Sequence, residues 1–155
     1  MSRLVCMTGS AADRAAAELY ERQAALFAER FPARFLERIA KPEPAALPAF
    51  AQEAVSIEEG GLWAALWKLG EAEKTGLTVD AAAIPIRQET VEICELLELD
   101  PYGLPSSGHV FFCEPQDVLE ADVPPAFTVI GRTVKTAART VRIGERIRYL
   151  NRSVE

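Results

Sequence analysis

Two stretches of this chain carry residue types and spacings suited to holding a polar or charged ligand. The first is Ser56-Ile57-Glu58-Glu59-Gly60-Gly61, two carboxylates set against a glycine pair. Glu58 and Glu59 stand where an apolar, helically spaced run begins, so their charges complement the positive end of a helix dipole. Gly60 and Gly61 present N–H groups with no side chain in the way, which suits a phosphate or a carbonyl oxygen. Glu59 could hold Mg²⁺ through water. The same glycine pair would equally let a helix pack tightly on other backbone. The second stretch is Ser106-Ser107-Gly108-His109, a turn entering an apolar strand that offers hydroxyl and N–H donors to an anion. His109 has no acid or nucleophile beside it in sequence, so a triad has no support, and a solvated or hydrogen-bonded histidine is the plainer reading. Arg87, following Ile84-Pro85-Ile86, could reach a phosphate; a surface arginine at a helix start is the alternative.

The elements that must position these residues follow from periodicity. Leu4-Val5-Cys6-Met7 reads as a first strand, and Thr8-Gly9-Ser10 turns it into a long alanine-rich helix. Ser10 is its expected N-cap, with Asp13 as the capping-box acid. That helix ends at Phe31-Pro32, and a shorter one spans Ala33 to Ile39. TGSAADR lacks the second glycine and the Lys-Ser/Thr of a phosphate-binding Walker loop. Prolines at 42, 44 and 48 make residues 41–50 an extended connector. Leu62, Ala65, Leu66 and Leu69 share one helical face with Trp63 and Trp67 alongside, and Gly76 marks that helix's stop. Leu77-Thr78-Val79 reads as a strand, Gln88 to Leu97 as a helix, and Val110 to Cys113 as a buried strand. A brief turn of helix to Glu120 is followed by Val123-Pro124-Pro125. Phe127 to Ile130 forms a strand bending at Gly131, and a closing hairpin turns around Gly144. Strands interleaved with helices and antiparallel at the end give an α+β fold, a mixed β-sheet packed with helices. One compact domain is expected, divided as 1–40, the connector 41–50, and a core at 51–155.

Composition sets outer bounds. The 155 residues are 49% hydrophobic and 26% charged, as in an ordinary globular protein. No apolar run approaches the roughly 20 residues of a membrane span, and no signal-peptide pattern is present. Cys6, Cys94 and Cys113 are widely spaced in apolar surroundings and read as reduced core thiols of a cytoplasmic protein. With one histidine and no CxxC pair, no metal site is expected. A net charge of -6 argues against general nucleic-acid binding. The charge is uneven, however: Arg132, Lys135, Arg139, Arg142, Arg146, Arg148 and Arg152 face one acid, Glu145. This basic run is either a phosphate- or partner-docking face or the polar side of alternating strands.

The order of pieces resembles the C-terminal domain of the aminoimidazole ribonucleotide (AIR) synthase superfamily. The matching pieces are EEGGLWAALWKLGEAEKTGLTVD, AIPIRQETVEICELLELDP, LPSSGHVFF and FTVIGRTV. The superfamily includes AIR synthase, thiamine-monophosphate kinase, selenophosphate synthetase and the hydrogenase-maturation dehydratase, and the resemblance covers roughly residues 3 to 150. It implies that the Glu58–Gly61 segment faces a cleft toward a nucleotide-binding N-terminal domain. The superfamily pattern there resembles Asp-(Val/Ile)-(Ser/Thr)-(Asp/Glu)-Gly-Gly. Ile57, Glu59, Gly60 and Gly61 keep it, Ser56 replaces the first acid, and Glu58 takes the hydroxyl position.

The resemblance further implies a chain that lacks the ATP-binding half and is not catalytic on its own. It would bind a phosphorylated or other small-molecule ligand, or complete a split ATP-dependent enzyme with a separately encoded N-terminal partner. The alternative is a small metabolite-binding enzyme or sensor acting without ATP. No cofactor is expected for the chain alone, and Mg-ATP only with such a partner. A homodimer is expected through the apolar arc carrying Trp63 and Trp67.

Overall fold

The computed structural model describes residues 2–42, 46–119 and 127–150. Its centre is one seven-stranded mixed sheet. In chain order the strands are β1 (Leu4–Thr8), β2 (Gln52–Ser56), β3 (Gly76–Asp80), β4 (His109–Cys113), β5 (Phe127–Val134), β6 (Arg139–Ile143) and β7 (Arg146–Tyr149). They lie side by side as β2-β4-β1-β5-β3-β6-β7. Only β3 and β6 run parallel; the other pairs are antiparallel. The α+β, mixed-sheet expectation holds.

Helix α1 (Asp13–Arg22), α2 (Ala24–Arg30), α3 (Ala33–Ile39), α4 (Gly61–Glu73), α5 (Gln88–Leu97) and α6 (Pro115–Leu119) complete the described elements, with 3-10 turns at Ala81–Ala83 and Pro101–Gly103. β1 is apolar along its length because it is central and covered on both faces. α4 is buried almost all round, as its near-continuous apolar sequence requires. Leu62, Leu66 and Leu69 meet Val5, Met7, Leu77, Val79, Val110 and Val141 from the sheet to make the main core. A second cluster joins α1, α2, α3 and α5 through Ala16, Phe27, Ile39 and Ile93. On the opposite sheet face, Phe50 and Val118 pack on Cys6, Phe111 and Cys113.

Several expectations need correction. The long first helix is two helices, interrupted at Gln23 with φ -128°. Its N-cap is Ala12, not Ser10, and no side chain caps it. Asp13 is turned inward to another task, described below. α4 stops at Glu73, with Lys74 in the left-handed region; Gly76 instead opens β3, where a Cβ would overlap the Thr136 carbonyl oxygen. The arc bearing Trp63 and Trp67, one ground for the homodimer expectation, is partly covered within the chain, which leaves that expectation itself untested. Tyr102 lies tilted against Trp63 with ring centroids 5.0 Å apart, and the Arg139 guanidinium lies 4.5 Å from the Trp67 ring centre. Val123-Pro124-Pro125, Pro44 and Arg152 lie outside the described residues.

The three cysteines are free and buried, as read from their surroundings. Cys6 and Cys113 lie across β1 and β4 with sulfurs 3.5 Å apart. Burial pushes the Cys94 thiol up from 9.0 to about 11, with the Asp100 charge adding to it. Burial also raises Cys6 and Cys113. The folded chain therefore keeps these protons where the unfolded chain has released them, so stability is full below pH 9 and is lost as pH rises from about 9 toward about 11. Urea unfolding at about pH 8 and about pH 10 should show a lower midpoint at the higher pH, with a smaller drop in Cys94→Ala. An unchanged drop in that variant would show that Cys94 takes no part.

Candidate functional site

The loops singled out by sequence are brought to one rim. The end of β2 and the start of β4 run side by side, pairing Ser56 with His109. Beyond that pair, the Ser106 N–H donates to the Ile57 carbonyl at 3.0 Å, and the Ile57 N–H to the Gly108 carbonyl at 3.2 Å. The Glu58–Gly61 turn and the Ser106–Gly108 turn are thus adjacent although 45 or more residues apart in sequence. β1 delivers a third segment. Gly9 and Gly108 lie back to back, and a Cβ on Gly9 would sit 3.1 Å from the Gly108 Cα. The His109 N–H donates to the Thr8 hydroxyl at 2.9 Å.

Asp13, at the start of α1, ties these turns together. It is 1% exposed. One carboxylate oxygen accepts the Ser107 N–H at 2.7 Å and the Ser106 hydroxyl at 3.2 Å; the other accepts the Ser107 hydroxyl at 2.6 Å. The Ser106 hydroxyl also reaches the Ser10 carbonyl at 2.6 Å and accepts from the Gly108 N–H at 3.0 Å. The donors that a serine-glycine turn would offer to an anion are therefore turned onto the chain's own carboxylate. A buried carboxylate needs such donors to offset its desolvation. The other polar groups at the rim are those of the Glu58–Gly61 turn and of Arg14.

Arg14 was not singled out from sequence. Its guanidinium donates to Glu58 at 2.8 Å, joining α1 to the acid-glycine turn. Its Nε is buried without a hydrogen-bond partner among the described residues, as is His109 Nδ1. Hydrogen bonding from Arg14, then from Ser56, holds the Glu58 carboxyl below its ordinary value, and the nearby His109 adds to the effect. Glu58 stays ionised to lower pH than a free glutamate, and the attraction to Arg14 weakens as pH falls through that lowered value. Carboxyl-carbon NMR should show Glu58 titrating below a free glutamate and moving back toward that ordinary value in Arg14→Ala. Coincident titration in both proteins would remove the pair from the account.

Gly60 and Gly61 divide the two uses read for the pair. Gly60 is the N-cap of α4 at φ 93°. Gly61, at φ 69°, has no room for a Cβ, which would overlap the backbone of Tyr102 and Gly103. Close packing of α4 on the Pro101–Gly103 turn is therefore its role. Glu59 is exposed at the rim.

Arg87 lies apart from this set. Its NH1 donates to the carbonyls of Arg38 at 2.8 Å and Lys41 at 3.1 Å, closing the C-terminal end of α3 rather than reaching toward the rim. Asp13 was missed as a site residue because its capping-box spacing explains it locally. The Thr-Gly-Ser turn ahead of it, aimed by a buried strand, was the available signal. Among the described residues, no three His, Cys, Asp or Glu side chains are grouped as a metal ion would need. No helix among them is long and apolar enough to cross a membrane.

No family model matches the chain. The carbamoyl dehydratase HypE of Rhodobacter capsulatus is 32% identical to it over 99 residues, 56% of this chain and 28% of that protein. A HypE chain solved in complex with HypF superimposes with a TM-score of 0.69 at 15% identity, over 97% of this chain and 53% of that one. The chain has the AIR synthase-related C-terminal fold. Thiamine-monophosphate kinase from Stenotrophomonas maltophilia K279a carries the same fold, with a TM-score of 0.64 at 23% identity over 90% of this chain and 49% of that one. This chain spans about half the length of those solved chains. One protein with this AIR synthase-related fold, HypE, is thus known in complex with another polypeptide.

Proposed function

We propose that this chain acts by binding, as the ligand-facing wall of a composite ATP-dependent site whose nucleotide and Mg²⁺ contacts are made by a separate N-terminal-type half. The observation that carries this reading is the rim itself. Three segments far apart in sequence converge there, and Arg14, Glu58, Glu59 and His109 lie along it. The correspondence to about half of each HypE and thiamine-monophosphate kinase chain supports it. Phosphoryl-transfer chemistry rests on positioning and charge neutralisation, so a wall that orients substrate beside a nucleotide-holding partner suffices as a role. Ser56, in place of the superfamily's first acid, shifts the chain toward binding rather than metal holding.

Sedimentation velocity of this chain mixed with the separately produced N-terminal half of a HypE tests the partnership. A one-to-one complex is expected, weakened at least about tenfold by charge reversal in Glu59→Lys. Failure to associate, together with stabilisation of the isolated chain by a sugar phosphate, would favour a metabolite sensor acting without ATP. Self-association enters this proposal only through surface other than the partly covered tryptophan arc. Light scattering of the chain alone at high concentration reads it, and a monomer would remove it.

A further inference from the structure

Strand pairing divides the basic run into two groups with different fates. The row Val5–Gly131–Val79–Val141–Arg148 crosses five strands. It faces α4, because Val5, Val79 and Val141 belong to the main core and Arg148 lies over Trp63. Arg139 is likewise committed, buried and bound to Glu71 at 2.6 Å and the Thr75 carbonyl at 3.0 Å. The neighbouring row Leu4–Arg132–Thr78–Thr140–Tyr149 lies on the other face, as does the row Asp80–Arg142–Ile147.

Among the described residues, Phe50, Val118 and Phe127 cover that outer face over β1, β4 and the start of β5. Over the rest of β5 and over β3, β6 and β7 no described residue packs on it, and Val129 is 37%, Ile147 63% and Tyr149 65% exposed. A register shift where β5 passes β1 brings Val129 onto this face beside Arg132, three residues away. At the shift a depression of about 310 Å³ opens, lined by Leu4, Thr78, Val129, Arg132 and Arg142, with Asp80 also in its wall. The Gly131 backbone is part of its wall and packs close on β3, where a Cβ would overlap the Thr78 carbonyl oxygen.

Neither arginine has an acidic partner among the described residues. The Arg132 side chain makes no hydrogen bond to any described residue, and the Arg142 side chain uses only its Nε, to the Gly144 carbonyl at 3.2 Å. Asp80 is occupied in part by the Ala82 N–H at 3.0 Å. Guanidinium forks bind carboxylate and phosphate through paired N–H donors, and an apolar floor beside them selects an anion with an apolar body.

We propose that this depression is a second binding site, separate from the rim, for a small organic anion. Its carboxylate or phosphate lies between Arg132 and Arg142, and its apolar portion rests on Leu4 and Val129. Phenyl phosphate, benzoate and inorganic phosphate are the probes, followed by amide chemical shifts in the full chain. Saturable shifts at Thr78, Gly131 and Arg132 are expected with at least one aromatic anion. The phosphate and carboxylate arms decide which headgroup is preferred. Arg132→Ala and Arg142→Ala should each weaken binding about tenfold, while Arg148→Ala on the inner face leaves it unchanged. Both arginines are exposed, so an unchanged melting temperature verifies the fold of each variant. Absence of saturable shifts, or equal affinity in the double variant, would overturn the site. Equal binding of inorganic phosphate would overturn the apolar contact, and response to an acidic peptide alone would reassign the face to a protein partner.

Discussion

Asp13→Ala should destabilise the chain by about 3 to 5 kcal/mol, a fall in melting temperature on the order of 10 °C. The substitution removes one carboxylate but strands several donors. The Ser107 N–H and hydroxyl lose their partners at 2.7 and 2.6 Å, while the Ser106 hydroxyl keeps the Ser10 carbonyl and the Gly108 N–H. Asp13 is 1% exposed, so water cannot replace what is lost without opening the rim. Asp13→Asn keeps an acceptor for the Ser107 N–H and should cost about half as much. Chemical denaturation of both variants reads the difference. Losses within about 0.5 kcal/mol for both would mean that the hub does not hold these turns. Because the Ser106–Gly108 turn is paired to Ile57, Asp13→Ala should also loosen the Glu58–Gly61 turn, visible as faster amide exchange there.

Gly108→Ala is the second large effect expected, at least about 3 kcal/mol. A methyl group at Gly108 would overlap the Thr8 carbonyl oxygen and approach the Gly9 Cα to 3.3 Å. Both obstacles are backbone, so no side-chain rotation relieves them, and β1 must move away from the turn. The same displacement would break the bond from the His109 N–H to the Thr8 hydroxyl. Gly103→Ala is the matched control: a Cβ there meets nothing within 4 Å, and a change within about 0.5 kcal/mol is expected. Equal stability for Gly108→Ala and the control would contradict the close approach.

Much of the scaffold was legible because burial writes itself into period. Continuous apolar runs gave β1 and β4, α5 starts and stops where its pattern does, and the hairpin around Gly144 follows its alternation. β2 was not legible. Gln52-Glu53-Ala54-Val55-Ser56 is an edge strand with Glu53 at φ 53° and a register shift opposite β4, so no clean alternation survives. β5 continues past Ile130, through the glycine read as a bend, to Val134, and Gly131 serves close strand approach. The break at Gln23 leaves no glycine or proline in the sequence to mark it.

The candidate rim was half legible. Residue type pointed to the Glu58–Gly61 and Ser106–Gly108 turns, and the fold sets them side by side. Type could not reveal that Asp13 fills the serine turn, that Arg14 holds Glu58, or that Arg87 closes α3. Each of these depends on contacts across 44 to 94 residues. The same holds for the basic run, where only strand register separates the committed Arg139 from the open Arg132.

Calorimetric titration of Mg-ATP into this chain, alone and mixed with a separately produced N-terminal half of HypE, tests the central reading most directly. The chain alone should give no saturable heat, and the mixture should bind nucleotide more tightly than that half does by itself. Saturable Mg-ATP binding or ATP hydrolysis by the isolated chain, or a mixture no better than its other component, would contradict it.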